Sequence, residues 1–370
     1  MVDTVGFYNY LIKHNLDFFT GVPDSLLKEF CACIRDKSDN KHNIIAANEG
    51  NAVGLAAGYH LSTGKLGVVY MQNSGEGNAV NPLLSLADPK VYSIPMLLII
   101  GWRGEPGVHD EPQHVKQGEV TLKLLDSMNI PYRILSEEYE LDLNDLISIA
   151  HNEYRPVALI VRKGMFSKYS SVNKTKSEMG ELLREEALET ILESIDCDPV
   201  VSTTGKESRE IFEIRERKHQ GHEHDFLTVG SMGHTSSIAL GVSIGTTKNV
   251  WCLDGDGSFI MHMGSLAIAG QSAGDNFKYI INNNAAHESV GGQPTVSDKI
   301  DIKSILIACG FSKTFEARTK EEIKKTIFEM KKIGKCALIL YTKQGSRENL
   351  GRPTTTPIEN KEAYMAQFKK

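Results

Sequence analysis

A chain of 370 residues, 41% hydrophobic and 24% charged, is longer than one hydrophobic core usually supports, so two domains are expected. Its formal net charge of −6, with Lys and Arg spread throughout, offers no basic stripe to a phosphate backbone and argues against a nucleic-acid partner. No apolar run approaches the ~18 residues of a membrane span, the opening residues lack a signal-peptide pattern, and the six cysteines form no CxxC pair; a reduced, cytoplasmic chain without a membrane partner is expected.

Along the chain, short runs rich in Ile, Val and Leu alternate with helical patterns, the mark of parallel sheet covered by helices on both faces. NIIAA (residues 43–47), LGVVYMQ (66–72), IPMLLIIG (94–101) and PVALIV (156–161) are the predicted strands of the first half. The polar stretch GMFSKYSSVNKTKSEMG (164–180) has no sustained period, and a helical pattern begins at Glu181. PVVSTTG (199–205), NVWCLD (249–254), FKYIINN (277–283) and CALILYT (336–342) are the strands predicted after it. The fold class is α/β, with doubly wound parallel-sheet domains over residues 1–165 and 183–370 joined by a linker over 166–182.

Two familiar phosphate-binding patterns fail. LDGDGSFIMHMG (253–264) has Phe259 and Ile260 where a dinucleotide fingerprint needs its third glycine, and TTGKES (203–208) would place the first glycine of a P-loop at Val200, inside a strand. A lone Gly-Asp-Gly is ordinarily a tight turn. Here, however, Asp256 and Asn283 each follow a predicted strand and lie 27 positions apart, with SFIMHMGSLAIAGQSAGDN between them long enough for one crossover helix. A parallel sheet would bring both to its carboxyl edge. A carboxylate, an amide oxygen and a backbone carbonyl form half the shell of Mg²⁺ and leave positions for a diphosphate.

GDG followed by NN at that spacing resembles the metal and diphosphate motif of the thiamine diphosphate (ThDP)-dependent decarboxylases and synthases. The resemblance implies that Asp256 and Asn283 hold Mg²⁺ by side chains and Ala285 by its carbonyl, where other members often have glycine, while Gly255, Gly257 and Ser258 approach the diphosphate. VGSMGHTSSIALG (229–241) is similar to the preceding family segment, implying that the Gly230 carbonyl meets the aminopyrimidine and that Met232 wedges the cofactor into a bent shape. AANEGNAVGLAAGYH implies Glu49 as the carboxylate that activates the pyrimidine, and QNSGEGNAVNPL implies contacts from Asn73, Ser74, Gly75 and Asn78. The first domain would be pyrimidine-binding and the second diphosphate-binding, with no central domain.

GVPDSLL, GWRGEPGVHDEPQH, TTGKESRE and NNNAAHESVGGQPT extend the likeness, nearly over the whole chain, to the members that decarboxylate phosphonopyruvate. The implied reaction is non-oxidative decarboxylation of 3-phosphonopyruvate to phosphonoacetaldehyde and CO₂, toward 2-aminoethylphosphonate. Sulfopyruvate decarboxylation is the nearest alternative, with a carboligating synthase or a ThDP-binding protein without turnover farther off. His114, and after it His109, are the expected proton donors beside the substrate, and Asp24 is either a proton relay or an N-cap. Lys206 and Arg209, three apart at a helix start after a strand, are expected to grip the phosphonate, with Arg103 in reserve. The family arrangement also implies at least a homodimer with active sites shared between subunits.

Overall fold

The apolar runs of the first half fold into a six-stranded sheet of β1 (Phe18–Gly21), β2 (Asn43–Ile45), β3 (Gly67–Gln72), β4 (Met96–Gly101), β5 (Tyr132–Ile134) and β6 (Val157–Val161), in the order β2-β1-β3-β4-β6-β5. Every pairing in it is parallel. β4 and β6 are buried from end to end because helices cover both faces, which is why they read as unbroken apolar runs. Their side chains still alternate. Val68, Tyr70, Leu97 and Ile99 join the aromatic core of Phe7, Phe19, Phe30 and Phe166, while Val69, Met71, Leu98 and Ile100 pack on Ala52, Val53, Ala56 and Ala57 of helix Glu49–Thr63.

The second half builds β7 (Val200–Ser202), β8 (Asp225–Leu227), β9 (Val250–Gly255), β10 (Phe277–Asn283), β11 (Lys313–Ala317) and β12 (Cys336–Tyr341), again all parallel, in the order β11-β12-β10-β9-β7-β8. In each sheet the first strand has its successor on one side and the following strand on the other. Loops leaving the carboxyl ends of such neighbours diverge, and the crevice between them is where ligands of open α/β sheets sit. Asp24 lies past the end of β1 and Asn73 directly follows β3; Thr203 directly follows β7 and Asp256 directly follows β9.

The computed structural model describes residues 1–172 and 179–369 and divides into two compact units, Met1–Lys174 with Val290–Gln293 and Thr175–Ser289 with Pro294–Lys370. Residues 166–172 of the expected linker belong to the first unit: Phe166 stacks on Phe30 at 5.4 Å and meets Phe7 edge-on at 5.1 Å, so this stretch is held by aromatic packing. The part of that linker at 173–178 lies outside the described residues. The helix expected from Glu181 begins at Arg184.

Two local expectations are corrected. GDG is no tight turn, because Gly255 ends β9 and caps a helix that starts at Asp256 itself. The single crossover helix is two, Asp256–Met261 and Ser265–Ser272, since His262 leaves helical geometry at φ −133°. Among the described residues no helix is long and apolar enough to cross a membrane. Cys31, Cys33, Cys252 and Cys336 are buried free thiols, whereas Cys197 is exposed.

Candidate active site

β9 and β10 are paired with Gly255 opposite Asn282, so the residue after each, Asp256 and Asn283, emerges at the same edge. Both are nearly fully buried. Ser297 Oγ lies 2.9 Å from Asp256 Oδ2 and 2.8 Å from Asn283 Oδ1, so its one proton can go to either oxygen and the two face one small volume. Thr295 Oγ1 adds a bond to Asp256 Oδ2 at 2.5 Å. Burial pushes the Asp256 carboxyl up to about 6 against these hydroxyls, a cost that a cation would relieve. Asn283 Nδ2 is buried without a hydrogen-bond partner among the described residues. Ala285 sits at φ 55° and its carbonyl accepts from Thr295 N at 3.1 Å, leaving a second lone pair. Among the described residues no group of three or more His, Cys, Asp or Glu could hold a metal, so a cation here relies on one carboxylate beside amide and carbonyl oxygens. That is the sparse oxygen set of Mg²⁺.

Glycine lets two side chains close on the start of the helix that follows β9. A Cβ on Gly257 would lie 2.8 Å from His287 Nδ1 and 3.3 Å from the Met232 methyl, so the Met232 tip rests on the start of helix Asp256–Met261. Desolvation pushes the His287 imidazole down to about 4, so it is neutral near pH 7. Ser258 Oγ accepts from Gly233 N at 3.0 Å, and Gly230, at φ 75°, donates its N–H to Thr204 Oγ1 at 2.9 Å. The segment 230–233 is thereby tied to the helix that begins at Asp256. Beneath it, the buried Asp254 accepts from Tyr279 Oη at 2.9 Å and from Gly255 N at 3.0 Å, fixing the end of β9. The residues fit a metal-bridged diphosphate.

In the first unit Glu49 opens helix Glu49–Thr63, whose N-cap Asn48 accepts from Asn51 N. Glu49 is 5% exposed, and its carboxyl accepts from Asn78 Nδ2 at 2.7 Å. A Cβ on Gly75 would fall 2.3 Å from Glu49 Oε1, so the turn after β3 closes directly on the carboxyl. Ser74 is exposed and accepts from Gln72 Nε2 at 2.6 Å. Asn73 has another task than the expected cofactor contact: both its amide protons go to the Arg103 carbonyl and Thr121 Oγ1, each at 2.9 Å, stitching the end of β3 to the loop after β4.

That loop carries a second constellation. Arg103 forks onto Asp110, with Nε donating to Oδ2 at 2.8 Å and Nη2 to Oδ1, while Nη1 donates to Ser25 Oγ at 2.7 Å. His114 Nδ1 lies 2.9 Å from Asp110 Oδ1. Asp24, fully buried, accepts from Leu26 N at 2.9 Å and is pushed up to about 6 by burial, with Arg103 and backbone N–H groups opposing. It is not the N-cap of the next helix, which is Leu27. His109 is exposed on the same loop.

Lys206 and Arg209, the expected pair, have different protein partners. Lys206 donates to Glu288 at 2.9 Å, a carboxylate shared with the buried Arg184, whereas Arg209 donates to the carbonyls of Gly351 at 2.6 Å and Leu350. Arg209 thus gives its Nε–H and one Nη2 proton to backbone. Asp110, Thr295 and Ser297 were not singled out from the sequence. Asp110 had a signal, lying between the two histidines of VHDEPQH, but the hydroxyls had none beyond their place in GGQPTVS.

Residues 5–128 match the family model described as thiamine pyrophosphate enzyme, N-terminal TPP binding domain, and residues 203–340 match its C-terminal TPP binding domain. A phosphonopyruvate decarboxylase of Streptomyces viridochromogenes is 33% identical over 368 residues, covering 94% of this chain and 90% of its own. One from Streptomyces hygroscopicus is 32% identical over 92% of this chain and 87% of its own. A sulfopyruvate decarboxylase of Methanosarcina acetivorans is 30% identical, covering 77% of this chain and 78% of its own. With both cofactor domains matched and the likeness running over almost the full length, this chain belongs to the thiamine diphosphate-dependent decarboxylases, carbon–carbon lyases that work with thiamine diphosphate and a divalent metal ion.

Proposed function

We propose that the 2-oxo acid decarboxylated here is 3-phosphonopyruvate, giving phosphonoacetaldehyde and CO₂ on the way to 2-aminoethylphosphonate. The observation that carries this reading is the length of the likeness: relatives named for phosphonopyruvate cover 94% and 92% of the chain, against 77% for the one named for sulfopyruvate. The latter keeps sulfopyruvate as the second reading.

Thiamine diphosphate, when bound, supplies the electron sink for carbon–carbon cleavage. Asp256, Asn283 and the Ala285 carbonyl would hold Mg²⁺, and Gly255, Gly257 and Ser258 would line the diphosphate. The Gly230 carbonyl and Met232 would orient the aminopyrimidine. Glu49 holds the proton exchanged with that ring, steadied by Asn78 and by the close approach of Gly75. His114 moves a proton at the substrate, with Asp24 as its relay and the exposed His109 on the rim. Of the cations, Arg103 and Lys206 are assigned to the phosphonate. Arg103 keeps one proton on each terminal nitrogen beyond its bonds to Asp110 and Ser25, and the Lys206 side chain is 26% exposed. Arg209 is left out of this set. The subunits act at least in pairs, each site taking Glu49 from one chain and Asp256 from another.

The test is turnover of phosphonopyruvate, sulfopyruvate and pyruvate by the purified protein with Mg²⁺ and thiamine diphosphate, reading CO₂ and aldehyde. A kcat/KM for phosphonopyruvate at least about tenfold above both others is expected. Preference for sulfopyruvate would overturn the substrate assignment while leaving the decarboxylase in place.

A further inference from the structure

One carboxylate in the first unit collects more hydrogen bonds than an ion pair requires. Besides the fork of Arg103, Asp110 accepts from Gly104 N at 2.9 Å, Glu111 N at 2.8 Å and His114 Nδ1 at 2.9 Å. Each of its oxygens is engaged at least twice. The three side chains are 10–19% exposed, so they are nearly dry and exchange few of these bonds with water. The backbone around them is locked as well. Gly104 turns at φ 68°, where a Cβ would lie 1.9 Å from the His114 carbonyl oxygen, and a Cβ on Gly118 would lie 1.7 Å from the Gly104 carbonyl oxygen. Trp102 Nε1 donates to the Gly118 carbonyl at 3.0 Å. The loop after β4 and the first turns of helix Pro112–Ser127 are therefore pressed together, with Asp110 wedged between Arg103 and His114.

We propose that Asp110 is the positioning residue of this site: by accepting the His114 Nδ1–H on the same carboxylate that holds Arg103, it fixes the imidazole so that Nε2 is the atom that gives and takes the proton. This rests on the reading of His114 as the proton-transfer residue. An ionised carboxylate accepts only, so a neutral imidazole beside it must carry its proton on Nδ1. Burial works against the Asp110 charge, yet the bonds from Arg103 and His114 hold its carboxyl well below the usual range, so it stays ionised throughout the physiological range. Burial also lowers the His114 imidazole; Asp110 opposes that and Arg103 adds to it, and these are the charged groups that act on the ring. An amide at position 110 cannot accept on both of its atoms as the carboxylate does, and with its NH₂ towards the ring it would favour the other tautomer.

The test has two arms. In ¹⁵N-histidine-labelled holoenzyme, with the His114 signals assigned by their loss in His114→Gln, the neutral ring should show a protonated Nδ1; a ring protonated on Nε2 overturns the proposal without any variant at Asp110. In turnover of the preferred 2-oxo acid, Asp110→Asn should lower kcat on the order of 100-fold with KM changed much less, and should shift the His114 ¹⁵N signals to the other tautomer. The double variant should be no slower than His114→Gln alone. Losses that multiply would mean that Asp110 acts elsewhere and would overturn the proposal while His114 keeps its role. A His114→Gln variant of normal kcat would bring down both.

Discussion

Ala285 adopts φ 55°, a left-handed conformation that costs a residue with a Cβ roughly 1–2 kcal/mol and that glycine adopts freely. Since a ligand from this residue would be its carbonyl, Ala285→Gly should raise stability by about 1 kcal/mol and leave metal affinity unchanged, as thermal melts and Mg²⁺ titrations would show. Asp256→Ala, by contrast, should abolish Mg²⁺-dependent retention of thiamine diphosphate, because the diphosphate charge would then meet the protein without its cation. Calorimetry giving wild-type affinity would refute the assignment of the motif. Glu49→Gln should still bind cofactor but activate it far more slowly, visible as slow exchange of the thiazolium proton. Glu76 gives a pH dependence. Burial pushes its carboxyl from 4.5 up to about 8, with Thr121 opposing, so the folded state binds the extra proton. Its contribution to stability is complete below pH 4.5 and is lost as pH rises through about 8, with a slope of about 1.4 kcal/mol per pH unit that Glu76→Gln should flatten. The places of Asp256, Asn283 and Glu49 at or just past a strand end were legible because the apolar runs mark those ends. Ser297 and Asp110 were not, because hydroxyls and carboxylates are common in loops and their work is visible only once the partner atoms lie within 3 Å.

At the level of the element, the strands read in advance are those with a recognisable apolar run, from the six- and seven-residue β9 and β10 down to the three-residue β2 and β7. β5, β8 and β11 escaped because they are short or partly polar: β5 has its middle residue exposed and β11 mixes exposed with buried positions along Lys313–Ala317. β1 escaped although every residue in it is buried, since four residues are too few to show a period. The break at His262 was likewise invisible, because MHMG has neither proline nor an unusual charge. Turns give sharper tests than strands here. Gly75→Ala places its Cβ on the Glu49 carboxyl, so activity should collapse while the melting temperature changes little, and normal turnover would show that the turn can yield. Arg209 holds the 350–351 segment by its carbonyls, so Arg209→Ala should cost roughly 1.5–3 kcal/mol of stability and leave the ratio of kcat/KM between phosphonopyruvate and pyruvate as it was. A selective loss on phosphonopyruvate would return Arg209 to the substrate.

For the whole molecule, Glu49 and Asp256 belong to different units, and sites shared between subunits have a direct signature. A mixture of inactive Glu49→Gln and inactive Asp256→Ala chains should regain part of the activity after subunit exchange; failure despite demonstrated exchange would place each site within one chain. The wiring of the two sheets carries a further consequence. With β7 counted as first, the second sheet runs 5-6-4-3-1-2, which is the first sheet's 2-1-3-4-6-5 seen from the other edge. One wound pattern is thus used twice, and each copy owns its hydrophobic clusters on both faces. The polypeptide behaves as two words written without a space, and a break between residues 172 and 179 severs no strand, helix or core of the described residues. Co-expressed as separate fragments, the halves should assemble into an active enzyme, whereas neither alone should decarboxylate anything.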